Sequence, residues 1–399
     1  MNARILPKKL NEVRPAVEFP ERVAIVHDWL PEVGGAERVL GEILNVFPDA
    51  DLFSLLDFIP LSQRGFLRGK PVQTSFIQNV PFARRFYRLY LPLMPLAIEC
   101  FDFSKYDLIL SSSYAVAKGL LSGPDQLHLC YCHSPIRYAW DLQEQYLRQT
   151  RMHKGVVGLI ARALLHYIRL WDSRTPNGVD AFAANSEFVS RRIWKVYRRA
   201  AKVIFPPVGL NVSSLPKAFN APRTVYLSLG RLVPYKRVDL LIEAFRKMPD
   251  RVLHVIGEGP ERARLERGLP ANVRLLGRVS ESELSSALES ARALVFAAEE
   301  DFGIALVEAQ AAGTPVIAYA KGGACETVVH GVTGILFKTQ TVEAVVGAVK
   351  AAEKITFEPE DLRRNAQRFS PEIFRSELKN WITEEWGAFE CRRHSVDFE

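Results

Sequence analysis

The sequence predicts an α/β protein made of two Rossmann-like domains, each built on a parallel sheet covered by helices. Three observations predict this class. Short, continuous apolar segments alternate with helical patterns, which is typical of buried parallel strands. A joint containing Pro206 and Pro207 divides these segments into two series. The length of 399 residues is long for one domain and sufficient for two hydrophobic cores.

The first series predicts the strands of an N-terminal domain, residues 1–207. The strand candidates are residues 22–27, 108–111, 128–132, 181–184 and 202–205. After the first of them, a turn over residues 28–35 leads into a helix that begins near Ala36.

The second series predicts a C-terminal domain over residues 208–370. Its strand candidates are residues 224–229, 252–256, 273–276, 293–297 and 315–319, and its helical patterns are residues 237–247, 281–290 and 303–312. A last helical pattern, residues 371–390, follows Ser370, which is a good N-cap residue, and has Pro371 at its first position.

The composition excludes several classes of protein. Hydrophobic residues make up 48% of the chain and charged residues 24%, as in ordinary globular proteins. The five cysteines contain no C-x-x-C pair, so we expect no zinc site and no disulfide framework. The first 20 residues lack the apolar segment of a signal peptide, and no run approaches the roughly 18 apolar residues of a membrane span. We therefore expect a cytoplasmic protein.

The most informative motif runs from Glu300 to Glu308, between an apolar strand and a helix. Ligands of open α/β sheets bind beyond the carboxyl ends of the strands, where Glu300 lies. We expect free amides of Phe302, Gly303 and Ile304 at the helix N-terminus to cradle a diphosphate. Glu308 lies on an otherwise apolar helix, where a carboxylate needs a partner. A ribose hydroxyl is one such partner; a solvated helix face is the alternative.

A second motif places Arg231 and Lys236 after the strand candidate 224–229. Two cations at a strand terminus can stabilise the charge of a diphosphate leaving group. Surface charge is the alternative. Because the same half of the chain supplies Glu300, both loops can face one crevice.

The N-terminal domain offers two further candidates. His133 follows an apolar strand and precedes a Ser-Pro turn, so it projects from the strand's carboxyl end; a structural histidine is the alternative. Gly34 and Gly35 precede a helix, where they allow a close backbone approach or form an ordinary turn. Asp49 and Asp51 match a D-x-D metal pattern, which we interpret as a turn without a metal.

Together these motifs resemble glycosyltransferase family 4, whose fold is GT-B. The resemblance is carried by the G-R-x-x-x-x-K segment 230–236, the E-x7-E element 300–308 and the G-T-P-V-I sequence 313–317, in this order. It implies a nucleotide-sugar donor on the C-terminal domain, which faces an acceptor-binding N-terminal domain across a cleft. It also implies that the C-terminal helix crosses back to the N-terminal domain.

By position, the resemblance implies a role for each motif. Arg231 and Lys236 hold the diphosphate, Glu300 contacts the transferred sugar, Glu308 contacts the ribose, and His133 lies near the sugar. The other implied donor-binding positions are Gly34, Gly35, Gly257, Gly259, Arg278, Val279, Phe302, Gly303 and Ile304. The resemblance further implies retention of configuration by front-face attack, without a cofactor or a metal.

The H-S-P-I-R-Y-A-W-D sequence of residues 133–141 resembles bacterial polysaccharide and lipid-linked mannosyltransferases in particular. That resemblance implies GDP-mannose as the donor and a saccharide on polyprenyl diphosphate as the acceptor. A UDP-sugar or another GDP-sugar as donor stays open, as does a non-catalytic sugar-nucleotide-binding subunit. An epimerase or a phosphorylase is less favoured, because neither residue pattern is present.

The net charge of +7 is carried entirely by the N-terminal half of the chain. Residues 82–91 and 153–171 combine basic with apolar and aromatic side chains, as basic amphipathic helices on an anionic membrane surface do. Packing on the domain with snorkelling cations is the alternative. No nucleic-acid motif accompanies the charge. We expect a peripheral position on the inner face of the cytoplasmic membrane.

Overall fold

The computed structural model of the protein describes residues 19–150, 152–209 and 223–396. Residues 1–18, which include most of the segment examined for a signal peptide, and residues 210–222, near the start of the predicted second domain, lie outside these ranges. The described chain forms two α/β domains, each with a fully parallel sheet. The predicted fold class is confirmed.

The N-terminal domain contains a seven-stranded sheet in the order β3-β2-β1-β4-β5-β6-β7. Its strands are β1 (Val23–His27), β2 (Asp51–Ser54), β3 (Val72–Thr74), β4 (Leu108–Ser113), β5 (Leu127–Cys132), β6 (Ala181–Ala184) and β7 (Ala201–Val203). Its helices are α1 (Gly35–Val46), α2 (Ala83–Phe86), α3 (Met94–Glu99), α4 (Gln143–Gln149), α5 (Gly155–Arg174) and α6 (Glu187–Tyr197). The strand order reverses between β1 and β4, which is where such sheets open a crevice for ligands.

The C-terminal domain contains a six-stranded sheet in the order β10-β9-β8-β11-β12-β13. Its strands are β8 (Val225–Leu229), β9 (Val252–Ile256), β10 (Val273–Gly277), β11 (Ala293–Phe296), β12 (Val316–Tyr319) and β13 (Gly334–Phe337). Its helices are α7 (Val238–Arg246), α8 (Arg262–Leu265), α9 (Glu281–Ser290), α10 (Ile304–Ala311), α11 (Ala324–Thr327), α12 (Val342–Ala352) and α13 (Pro359–Gln367). Here the strand order reverses between β8 and β11.

The last helix, α14 (Pro371–Val396), returns to the N-terminal domain. It packs against α1, and its apolar side chains belong to the same buried cluster as those of β1, β4 and β5. Those side chains are Phe374, Leu378, Trp381, Ile382, Trp386 and Phe389. The predicted crossing of the C-terminal helix is therefore present.

One helix prediction is wrong. Residues 82–91 do not form a continuous amphipathic helix: the single turn α2 is followed by a 3-10 segment, Tyr87–Leu93, that contains Pro92. Proline lacks the amide hydrogen that an α-helix needs at an interior position. Residues 153–171, by contrast, fall largely within α5, which is 20 residues long. Across the described residues, we find no helix both long and apolar enough to cross a membrane.

Candidate active site

The two domains enclose a cavity of about 620 Å³. Helix α1 and the loops after β4 and β5 line it on one side, and the loops after β8 and β11 line it on the other. The charged or titratable side chains on its wall are His133, Arg137, Lys236, Glu300, Asp301 and Glu308, with Tyr114 and Tyr138 beside them. We call this space the central cavity.

Lys236 and Glu300 meet because their loops follow adjacent strands. Strands β8 and β11 are neighbours at the point where the strand order reverses, so the loops after them share one edge of the sheet. Lys236 Nζ forms an ion pair with Glu300 Oε1. Burial alone would lower the pKa of Lys236, but the Glu300 carboxylate raises it above the ordinary lysine value, so Lys236 is a cation at neutral pH.

Two helix N-termini converge at the cavity. Gly303 has a φ of 88° and caps α10 in the left-handed conformation that glycine adopts without strain. Gly35 begins α1, and a Cβ atom added there would lie only 2.7 Å from Ile304 Cδ1. The first amides of a helix have no intrahelical acceptor and carry the positive end of its dipole. The arrangement therefore favours an anion between α1 and α10.

Glu308 is paired across the cleft. It lies on α10, about one turn from the helix start, and its Oε1 accepts a hydrogen bond of 2.7 Å from Arg38 Nη1 on α1. The sequence predicted that this carboxylate needs a partner, but did not identify Arg38. The only hint of this partner in the sequence is that Arg38, a basic residue, lies about one helical turn after Gly34 and Gly35.

His133 lies at the carboxyl end of β5 and is 9% exposed. Its Nε2 is 2.9 Å from Ser112 Oγ, and its carbonyl accepts a hydrogen bond of 3.0 Å from Asn185. Burial, assisted by the neighbouring His27, lowers the pKa of His133 to about 3. The ring is therefore neutral at neutral pH and can exchange hydrogen bonds with a hydroxyl group of a ligand.

Asp301 was not singled out from the sequence, although it adjoins Glu300. Its carboxylate accepts hydrogen bonds from Arg137 at 3.2 Å and from Arg192 at 2.5 Å. Ser186 Oγ donates to its backbone carbonyl at 2.6 Å. These contacts tie the acidic loop of the C-terminal domain to the N-terminal domain. Arg137 belongs to the H-S-P-I-R sequence, which was the only signal for this contact.

Arg231 lies apart from Lys236. Its exposed side chain lines a second cavity of about 610 Å³, together with Gly34 and residues of the N-terminal domain. The two cavities are adjacent, because Gly35, Tyr114 and Tyr138 line both. We call the second cavity, which Arg231 lines, the side cavity.

Gly257 and Gly259 allow a close contact with the backbone of a neighbouring loop. A Cβ atom at Gly257 would lie 1.9 Å from the Gly230 carbonyl oxygen, and one at Gly259 would lie 2.3 Å from that of Leu232. Both glycines therefore let the loop after β9 pack directly on the loop that carries Arg231 and Lys236.

Arg278 and Val279 do not line the central cavity. The Arg278 side chain is 80% exposed, 3.8 Å from Glu32, and Val279 packs against an apolar cluster. Their implied role in donor binding stays a prediction. Asp51 accepts a hydrogen bond of 2.6 Å from Tyr106, and no group of three or more metal-ligand side chains occurs within the described ranges.

Comparison with known proteins gives a family match for the C-terminal domain and several partly similar relatives. Residues 215–369 match the family model of glycosyl transferases group 1. A GDP-mannose-dependent alpha-(1-6)-phosphatidylinositol monomannoside mannosyltransferase of Mycobacterium tuberculosis is 31% identical over 206 residues, which cover 44% of this chain and 53% of that protein. A glycogen synthase of the same species is 32% identical over 214 residues, which cover 50% of this chain and 51% of that protein. The chain thus spans about half the length of these curated relatives.

Similarity to solved structures extends over both domains. Anabaena Alr3699/HepE in complex with UDP and glucose has a TM-score of 0.65 and 20% identity, covering 90% of this chain and 99% of that chain. Sucrose-phosphate synthase from Thermosynechococcus elongatus has a TM-score of 0.64 and 18% identity, covering 94% and 100%. The chain therefore has the GT-B fold, and the family match of its C-terminal domain supports a glycosyltransferase of the GT-B type.

Proposed function

We propose that the protein is a retaining glycosyltransferase of family 4 that transfers mannose from GDP-mannose to a lipid-linked saccharide in polysaccharide or glycolipid biosynthesis. One observation carries the proposal: Lys236, Glu300 and the N-terminus of α10 line one cavity at the carboxyl ends of β8 and β11. Lys236 and the first α10 amides bind the diphosphate, Glu300 binds hydroxyls of the sugar, and Glu308 binds the ribose.

In the proposed reaction the bond between the anomeric carbon and the diphosphate oxygen breaks, and its electron pair stays on the diphosphate. Lys236 and the two helix N-termini stabilise this developing charge. Arg231 approaches the same diphosphate from the side cavity. The acceptor hydroxyl attacks on the face that the leaving group vacates, and a diphosphate oxygen takes its proton. Configuration is therefore retained without an enzymic nucleophile, and Glu300 positions the sugar.

GDP-mannose is proposed as the donor on two grounds. The mannosyltransferase relative from Mycobacterium tuberculosis is described as GDP-mannose-dependent. Residues 133–141 also carry the motif that resembles mannosyltransferases, and the structure places His133 and Arg137 of that motif at the central cavity.

The side cavity is proposed as the acceptor site. Six aromatic side chains line it: Trp29, Tyr87, Tyr114, Tyr138, Tyr146 and Tyr235. Their rings offer amphipathic faces for a saccharide, and Arg88 on the same wall can bind an acceptor diphosphate. Because this cavity adjoins the central cavity, an acceptor hydroxyl bound here can reach the donor.

An exposed apolar surface beside the side cavity supports a membrane-bound acceptor. Helix α5 packs next to the 3-10 segment Tyr87–Leu93, and these two elements, together with Phe82 before α2, leave large apolar side chains in solvent. These are Phe82, Leu89, Leu93, Val156, Val157, Leu159, Ile160, Tyr167 and Leu170. Exposed Arg84, Arg85 and Lys154 border them. A patch of this composition fits an anionic bilayer, which would place the protein on the inner face of the cytoplasmic membrane.

Donor hydrolysis tests the proposed reaction and the choice of donor. We expect slow release of nucleoside diphosphate from GDP-mannose, faster than from UDP-glucose and abolished by Glu300→Ala. Glu299→Ala is the matched control, because Glu299 pairs with Lys321 at 2.9 Å and does not line the central cavity. Release from UDP-glucose alone would overturn the donor assignment, and unchanged release by Glu300→Ala would overturn the site.

A further inference from the structure

We infer that Glu37, His27 and Ser112 form a buried chain of positioning residues that fixes the tautomer of His133, so that its Nδ1 is an unprotonated acceptor for the sugar. The inference rests on the proposed function only in naming the sugar. The buried chain of positioning residues does not depend on that function. Its members meet where the strand order of the N-terminal sheet reverses.

Strand register brings the members of the chain together. His27 ends β1 and is the Cα partner of Ser112 in β4. His133 follows Cys132, the last residue of β5, which pairs with Ser113. Ser112 Oγ lies 2.9 Å from His133 Nε2 and 3.1 Å from His27 Nδ1. His27 and Ser112 are fully buried, so no water competes for these bonds.

The chain ends on a buried carboxylate. His27 Nε2 lies 3.6 Å from Glu37 Oε1, and Glu37 is 6% exposed. The other oxygen of Glu37 accepts a hydrogen bond of 2.8 Å from the Gly34 amide. That bond completes the N-cap of α1, as a glutamate at the third helical position commonly does. Capping explains one oxygen of Glu37; it does not explain why the other faces His27.

Counting protons selects one tautomer. The Ser112 hydroxyl has a single hydrogen, so it donates to one histidine and accepts from the other. A carboxylate beside His27 Nε2 favours a proton on that nitrogen, which leaves His27 Nδ1 to accept from Ser112. Ser112 Oγ then accepts from His133 Nε2–H. His133 carries its single proton on Nε2, and its Nδ1 keeps a lone pair.

His133 therefore presents a hydrogen-bond acceptor, and not a donor, to the central cavity. Within the described part of the chain, Ser112 is the one side chain that forms a hydrogen bond with the His133 ring, which leaves Nδ1 for a ligand. An unprotonated Nδ1 accepts a hydrogen bond from a sugar hydroxyl and rejects an acceptor atom at the same place. The residues that set this preference do not line the central cavity themselves.

Long-range ¹H–¹⁵N correlation spectra of the full chain, labelled with ¹⁵N-histidine, report the tautomer without any ligand. The His133 signals are assigned from their loss in His133→Gln. At neutral pH we expect His133 as the Nε2–H tautomer, with Nδ1 at the shift of an unprotonated nitrogen. Ser112→Ala removes the shared hydroxyl and is expected to give a mixture of tautomers.

Glu37→Gln is the sharper variant, because glutamine at the same helical position keeps the cap while it removes the charge. It is expected to populate the Nδ1–H form of His133. Ser111→Ala is the matched control: Ser111 is the adjacent buried serine and lies 2.9 Å from His128 instead. It should leave the His133 signals in place. A wild-type His133 protonated on Nδ1, or one unchanged in both Ser112→Ala and Glu37→Gln, would overturn the inference.

Binding gives a second readout that separates this inference from the proposed function. Glu37→Gln should weaken binding of GDP-mannose about three- to tenfold, the worth of one hydrogen bond, and leave binding of GDP unchanged. Equal weakening of both ligands would indicate a general structural effect and contradict the inference. If the expected tautomer is found but neither nucleotide binds, the buried chain stands and the proposed donor is wrong.

Discussion

Arg38 and Glu308 are 270 residues apart in sequence and form a hydrogen-bonded ion pair of 2.7 Å between the two domains. The pair joins the first turn of α1 to the middle of α10. The carboxylate that we propose for the ribose is thus already oriented by a cation of the opposite domain. A bound nucleotide would share Glu308 with Arg38 rather than meet a free side chain.

Arg38→Ala is expected to raise the KM for the nucleotide sugar about two- to tenfold with a smaller change in kcat, because one charged hydrogen bond that orients Glu308 is lost. The Arg38 side chain is 49% exposed, so the free energy of unfolding should change by less than about 1 kcal/mol. Steady-state kinetics and thermal denaturation measure both. Arg375→Ala removes another arginine bound to α1, through Glu42, and should leave KM unchanged.

Lys236→Gln is expected to lower kcat about 10²- to 10³-fold, because a preorganised cation for the leaving diphosphate is removed. Transfer of labelled mannose measures the loss. Lys247→Gln, at an exposed lysine beyond the end of α7, serves as the control and should retain full activity. Equal activity of the Lys236 and Lys247 variants would contradict the assigned role.

Gly35→Ala is expected to reduce transfer modestly without unfolding the protein, because its Cβ would lie 2.7 Å from Ile304 Cδ1 and displace the Ile304 side chain, which lines the central cavity. The double variant Gly35→Ala/Ile304→Ala should recover part of the activity, since it removes the clashing methyl group. Gly347→Ala has no atom within 4 Å of the new Cβ and should be neutral. A Gly35 variant that is inactive in both backgrounds would argue against a purely steric cause.

Thermal stability is expected to fall as the pH is lowered from neutral. Burial lowers the pKa of His133 to about 3 and that of His128 to about 4, from an ordinary value of 6.5. Between these values the unfolded chain binds protons that the native state excludes, so stability is lost as the pH falls below 6.5. Differential scanning calorimetry across this range should show a flatter pH dependence for His133→Gln. An unchanged slope would indicate that His133 titrates normally.

Arg84→Glu/Arg85→Glu is expected to abolish flotation of the protein with anionic vesicles, because both arginines border the exposed apolar surface of α5 and residues 82–93. Vesicles of phosphatidylglycerol and phosphatidylcholine provide the surface, and neutral vesicles should bind less. Arg267→Glu/Arg274→Glu makes the same charge change at exposed positions of the C-terminal domain and should float normally. Absence of wild-type binding would remove the membrane part of the proposal.

The meeting of Lys236 and Glu300 could be predicted from the sequence, because both follow apolar strands and the loops of parallel strands share one sheet edge. The partners that residues find in the opposite domain could not be predicted from the sequence. The pairing of Glu308 with Arg38 and of Asp301 with Arg137 depends on how the domains face each other, which no local pattern encodes. Arg231 illustrates the same limit at short range: it is five residues from Lys236, yet its side chain lines the other cavity.

The buried histidine chain was missed for a related reason. His27 and Ser112 are adjacent only through the register of β1 and β4, 85 residues apart. Short strands were also hard to find: β3 has three residues, none of them fully buried, and lacks a continuous apolar run. In residues 82–91 the charge pattern was visible, but the α-helix ends at Phe86 and the 3-10 segment Tyr87–Leu93, which contains Pro92, follows it.

The return of α14 makes the N-terminal domain discontinuous in sequence. A fragment that stops at residue 207 would lack Trp381, Ile382 and four other apolar side chains of its own core, so it should expose a hydrophobic groove and aggregate. The polypeptide also passes between the domains twice, before β8 and again at Ser370. The Val208 amide donates a hydrogen bond of 2.8 Å to the Phe369 carbonyl, so the two connections run side by side, and any rotation of one domain against the other must bend both of them there.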